Sequence, residues 1–147
     1  MRKNLTDQVV TTRVSNAVAV GTSTVAGSTI DMAGFEGVRF IVQYGAITDG
    51  TPNLQAQQGA ASDMSDAVDL LGTDVAVADT DDNKMAILDI YAPQERYVRC
   101  RVVRGGATGC VIDSIIAEQY GARSEPVTQA SSVAAAEKHV SPAEGTA

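Results

Sequence analysis

Apolar residues recur at every second position in several short runs of this chain. That period marks strands with one buried face. Val38, Phe40, Val42 and Tyr44 alternate with Arg39, Ile41 and Gln43. Val98, Cys100 and Val102 alternate with Arg99, Arg101 and Val103. Further strands are predicted over residues 8–20, 53–58, 85–91 and 110–117. Glycines at 21 and 27, the run Thr48-Asp49-Gly50-Thr51-Pro52-Asn53 and Pro93 separate them as turn and stop signals. The runs 97–103 and 110–117 flank Arg104-Gly-Gly-Ala-Thr-Gly109 and read as a hairpin. Its core face holds Val98, Cys100 and Val102. On the second strand the core face is either Ile112, Ser114 and Ile116 or their neighbours Val111 and Ile115.

One stretch breaks the period of two. Over residues 62–71, Met64, Ala67, Val68 and Leu71 share a helical face, Ser62 can cap it and Gly72 can stop it. Seven or eight short strands with one short helix predict an all-β fold, an antiparallel β-sandwich or jelly roll. A sandwich leaves sheet edges that have to be covered or blunted. The composition shifts once, near Ser124. The chain therefore divides into a β-sandwich body, 1–123, and an extended C-terminal arm, 124–147.

The arm has no aromatic residue, two prolines, six alanines and no clear period. Alone, it cannot bury enough apolar surface to offset an ordering cost of roughly 1–2 kcal/mol per residue. Extended, it reaches about 80 Å at ~3.3 Å per residue. We read it as an arm clamped on neighbouring subunits of an assembly. Pro126 and Pro142 favour extended backbone, Val133 and Val140 fit shallow grooves, and Glu144 and the terminal carboxylate meet Arg or Lys.

Charge narrows the choice of partner. The formal net charge is −7, whereas nucleic-acid binding needs clustered Lys and Arg. Aromatic residues make up 4% and Trp is absent, which leaves no platform for stacking bases or sugars. No run of 18 apolar residues marks a membrane span, and no apolar run follows the basic start as it would in a signal peptide. No Lys or Arg lies between Arg39 and Lys84, while Asp49, Asp63, Asp66, Asp69, Asp74, Asp79, Asp81 and Asp82 do. Arg96, Arg99, Arg101 and Arg104 then cluster on one strand. This is either a solvated loop region beside a solvated strand face, or a pair of complementary surfaces that fix subunit register through Arg99 and Arg101.

Candidate chemistry is sparse. The one histidine, His139, lies in the arm, which leaves no Ser-His-Asp or Cys-His arrangement and no transition-metal cluster. Arg104-Gly-Gly-Ala-Thr-Gly lacks the lysine and helix of a phosphate-binding loop. Asp79-Thr-Asp81-Asp-Asn83 spaces oxygens like the start of a calcium loop, but Lys84 and Ile90 stand where Gly and Glu belong. It reads as an acidic turn, with an irregular calcium site shared with another loop as the alternative. Cys100 and Cys110 read as small reduced core residues, with a disulfide across the hairpin as the alternative. No catalytic, cofactor-binding or metal residue is expected, and the chain is read as no enzyme.

The stretch Gly34-Phe-Glu-Gly-Val-Arg-Phe-Ile-Val-Gln-Tyr-Gly-Ala-Ile-Thr-Asp-Gly50 resembles small virion proteins of tailed bacteriophages. So do Arg96-Tyr-Val-Arg-Cys-Arg, Pro126-Val-Thr and Val140-Ser-Pro-Ala-Glu-Gly-Thr-Ala147. Several proteins of this kind resemble jelly-roll cement, or decoration, proteins of the capsid. The resemblance covers most of residues 34–147. It implies a non-enzymatic protein on the outer capsid surface, made in the host cytoplasm, that bridges major capsid protein subunits and associates with itself. The partner-binding residues would be Pro126, Val133, Val140, Pro142, Glu144, Arg99 and Arg101. The alternative is a receptor- or glycan-binding sandwich displayed on the particle.

Overall fold

A computed structural model describes residues 4–146, so residues 1–3 of the body and Ala147 of the arm lie outside it. After a short 3-10 turn, Leu5–Asp7, the strands are β1 (Val10–Ser15), β2 (Val18–Gly21), β3 (Val25–Ala26), β4 (Ile30–Asp31), β5 (Gly37–Ile47), β6 (Asn53–Gly59), β7 (Val68–Asp69), β8 (Val75–Ala76), β9 (Met85–Tyr91), β10 (Tyr97–Val103) and β11 (Cys110–Tyr120). They form two antiparallel sheets. Sheet A runs β1-β11-β5-β9, with β2 also on β11. Sheet B runs β3-β10-β6-β7, with β4 also on β10 and β8 on β6.

The core lies between the sheets, as the period-two pattern requires. Val38, Phe40, Val42 and Tyr44 of β5 meet Leu54 and Ala56 of β6 and Val98, Cys100 and Val102 of β10 in one buried cluster. Each large apolar side chain buried there contributes about 1.5–3 kcal/mol of transfer free energy. On β11 the buried residues are Cys110, Ile112, Ser114, Ile115, Ala117 and Gln119. The register against β5 slips between Ile112 and Ser114. A bulge of this kind inserts one residue and reverses the alternation. For that reason neither of the two expected faces of this strand is right along its whole length.

Two expectations are corrected. The first is the hairpin. β10 pairs with β6, Cys100 opposite Ala56, while β11 pairs with β5, Ala117 opposite Phe40. The two strands lie in opposite sheets, and the segment 104–109 crosses between them. Three of its glycines adopt left-handed backbone, Gly105, Gly106 and Gly109. The Asp49 carboxylate accepts hydrogen bonds from Ala107, Thr108 and Gly109 N–H at 2.9, 3.0 and 2.6 Å. Arg104 is buried and donates to the carbonyls of Ser23, Ala19 and Cys110 at 2.7, 2.7 and 2.9 Å. These long-range contacts, invisible in the local pattern, turn a hairpin signal into a crossover.

The second is the helix. Residues 62–71 form turns followed by β7, which pairs with β6. Met64 is buried, with left-handed backbone, whereas Val68 and Leu71 are exposed. Asp63 accepts the Ser65 N–H at 3.0 Å, and Asp66 accepts the N–H of Ala60 and Ala61 at 2.9 and 3.2 Å. Asp side chains that bond nearby backbone in this way compete with helix formation.

Candidate interaction surfaces

Three surfaces organise polar side chains outside the core. The first is the β1 edge of sheet A, along which the arm lies. Val127 N–H donates to Asp7 O at 2.9 Å. Gln129 makes three bonds: its Oε1 accepts the Thr11 N–H at 2.9 Å, and its Nε2 donates to Thr6 O and Val9 O at 3.0 and 2.7 Å. Ser132 Oγ accepts the Arg13 N–H at 2.9 Å, and Lys138 pairs with Asp7 at 2.8 Å. Val133 and Ala136 close a groove against Leu5 and Val9. Edge-strand N–H groups are thus satisfied by side chains rather than by another strand.

The arm residues named from the sequence separate along this path. Val133 is half-buried on the body. Pro126, in a cis peptide with Glu125, is exposed beside that path. Val140, Pro142 and Glu144 are exposed, as is every described residue after Lys138. Gln129, Ser132 and Lys138 do the docking and were not anticipated. No local signal could have found them, because the strand they seal is an edge only once β11 has paired on its other side.

The second surface is the outer face of sheet B, where Arg99 and Arg101 point away from the core. Arg99 Nε donates to Gln57 Oε1 at 2.8 Å, and Gln57 Nε2 donates to Asp69 Oδ1 at 2.7 Å. Asp69 Oδ2 pairs with Arg101 at 2.7 Å, and Arg101 Nε donates to Gln55 Oε1 at 3.1 Å. Cross-strand register makes this ladder, since Arg99 lies opposite Gln57 and Gln57 opposite Asp69. At the end of the sheet Arg96 holds Asp31 through two bonds, at 2.9 and 2.8 Å. That pairing first of all, and the Ala33 N–H after it, depresses the Asp31 carboxyl below its ordinary range. Much of the charge complementarity seen in the sequence is therefore met within one chain. Arg99 and Arg101 lie on a different sheet from the arm, and the structure does not bring the two groups together.

The third surface is the outer face of sheet A. A Cβ at Gly37 would overlap the Tyr120 ring, which reaches over β5 to donate to Asp89 at 2.6 Å. Burial, and then Asp89, push the Tyr120 hydroxyl up to about 12. Arg39 bridges to Glu118 beside it. Of the aromatic rings, Phe40 and Tyr44 are buried and Tyr91 is 70% exposed.

In the acidic turn 79–83 the Asp81 and Asp82 carboxylates are engaged by the fold. Asp81 accepts the Ala78 N–H at 2.9 Å and pairs with Lys84 at 2.7 Å, and Asp82 accepts the Ile47 N–H at 2.6 Å. Lys84 first, then the Ala78 amide, lower the Asp81 pKa. Among the described residues no three His, Cys, Asp or Glu side chains cluster as metal ligands would. Cys100 and Cys110 are free and buried, and burial pushes the Cys100 thiol up to about 12. Among the described residues no helix is long and apolar enough to cross a membrane.

No protein-family model and no curated protein sequence matches this chain. The fold is similar to that of a solved structure, the PBSX exported protein XepA. The TM-score is 0.53 at 17% identity, over 95% of this chain and 46% of that one. At that identity the likeness is one of fold. The chain spans less than half the length of that protein.

Proposed function

We propose that this chain is a non-enzymatic structural protein of a bacteriophage particle. It decorates and cements the outer capsid shell by bridging major capsid protein subunits, and it associates with itself. The observation that carries this reading is the arm. Residues 127–138 are held on the body, and the described residues beyond them run exposed into solvent. An extended, proline-containing segment anchored at its root suits a clamp. Its backbone can add to a neighbour's sheet edge, and its limited freedom lowers the entropy lost on docking. The shared fold with an exported protein of the phage PBSX supports the same setting. In this reading Val140, Pro142 and Glu144 make the shell contact, while Val133 and Gln129 anchor the arm.

Shells depleted of this protein test the proposal. Full-length chain should cosediment with them, and a chain lacking residues 139–147 should not, although its body stays folded. Equal occupancy by the two chains overturns the clamp.

A further inference from the structure

Sheet A has two edges, and the chain treats them differently. On β1 the N–H groups of Thr11 and Arg13 are taken up by the arm. β9 pairs with β5 on one side and, among the described residues, with no strand on the other. Tyr44 N–H donates to Lys84 O at 3.0 Å, and Ala92 N–H donates to Glu36 O at 2.8 Å. Antiparallel strands turn alternate residues' main-chain groups toward a given neighbour. Even-numbered residues of β9 therefore face β5, and Met85, Ile87, Asp89 and Tyr91 turn their N–H and C=O groups outward. Met85 and Ile87 are 58% and 50% exposed. The outer strands of sheet B, β3, β4, β7 and β8, are two residues each, whereas β9 has seven, no proline and one charge. A long apolar edge is a template for another strand.

The adjoining face has a matching pattern. Ile116 lies opposite Ile41, and Ile41 opposite Ile87, so three isoleucines form a row that ends at the open edge.

We propose that β9 pairs with the β9 of a second copy of this chain, antiparallel about a two-fold axis at Ile87. In this register Ile87 meets its counterpart, and the row of isoleucines doubles in length. Met85 falls opposite Asp89, and the two Asp89 carboxylates stand four residues apart along the strand, about 13 Å at ~3.3 Å per residue. An axis at Asp89 would instead set like charges face to face and bring Pro93 into the ladder, both unfavourable. On the other side of sheet A the arm seals β1, and β2 has only four residues with its Ala19 carbonyl taken by Arg104, so the sheet grows at β9 and the pairing closes at two copies rather than forming a fibre. One strand pair with a few large side chains buries less than the ~800 Å² per partner of a standard interface. Net charge of −7 on each copy also opposes contact. The dimer is therefore concentration-dependent and strengthened by salt. The inference rests on the self-association part of the proposed function. It is tested on the free chain, so its failure leaves the shell-binding result standing.

A cysteine at 87 reads out the register. Directly opposed hydrogen-bonded residues have Cα atoms ~5.5 Å apart, within the ~4.4–6.8 Å that a disulfide spans. Cys100 and Cys110 are buried, so Ile87→Cys adds an exposed thiol without competition from either. Val68→Cys, on exposed β7, is the control. Under mild oxidation Ile87→Cys should form a covalent dimer at least about tenfold faster than Val68→Cys, because proximity sets the rate. In sedimentation equilibrium the wild-type mass should rise with concentration, and Ile87→Lys should suppress the rise. Equal crosslinking rates overturn the pairing. So does a single-chain mass up to the solubility limit, or a rise in mass that Ile87→Lys leaves unchanged.

Discussion

At the scale of single residues, Asp49 shows how one carboxylate shapes the chain. Its two oxygens take three backbone N–H groups of the crossover 104–109. The Gly109 amide first, then Ala107 and Thr108, hold its pKa below the ordinary carboxylate value. A pKa lower in the folded than in the unfolded chain means that folding favours the ionised form. The resulting stability is complete above the unfolded value, about 3.9, and is lost as pH falls through the folded one. Asp49→Asn should therefore lower the melting temperature at neutral pH, and the gap from wild type should narrow below pH ~4. A melting curve against pH for the two proteins checks this. A gap that stays constant to low pH would show that the carboxylate charge is irrelevant.

At the scale of elements, β1 depends on the arm. Gln129→Ala removes an acceptor from Thr11 N–H and a donor from two carbonyls. Loss of such partners at a partly buried site costs about 1–3 kcal/mol. For a chain near this size that is roughly 2–4 °C of melting temperature per kcal/mol. Hydrogen exchange localises the effect. The Thr11 amide should lose protection while the amides of central β5 keep theirs. Unchanged Thr11 exchange would show that the arm does not seal this edge in solution.

At the scale of the whole molecule, the arm is two segments rather than one. The contacts at Val127, Gln129, Ser132, Val133 and Lys138 tie its root to the body, and Val140, Pro142 and Glu144 are exposed. Deleting 140–147 should leave the melting temperature unchanged. Deleting 124–147 should lower it, because an edge strand loses its cover and a groove at Leu5 and Val9 opens. Equal melting temperatures for all three chains, by calorimetry, would separate the arm from the fold altogether.

How much of this was legible follows from the range of each interaction. The alternation of Val38, Phe40, Val42 and Tyr44, and of Val98, Cys100 and Val102, determined by itself that these runs are strands and which face is buried. It sufficed because a strand's side-chain period is a local property and the core needs one apolar face. The same local pattern could not show which strands pair. β10 and β11 read as a hairpin, yet Asp49 and Arg104, acting over long separations, send them to different sheets. Nor could it show the bulge that reverses β11, since one inserted residue is visible only against its partner strand. The partner surfaces were legible least. Arg99 and Arg101 were rightly placed outside the core, but Gln57 and Asp69 become their neighbours only through cross-strand register. The arm's composition alone showed that it needed something to lie on. Only the tertiary structure decided that the support for its first half is the chain's own β1 edge, because edges exist only after sheets form.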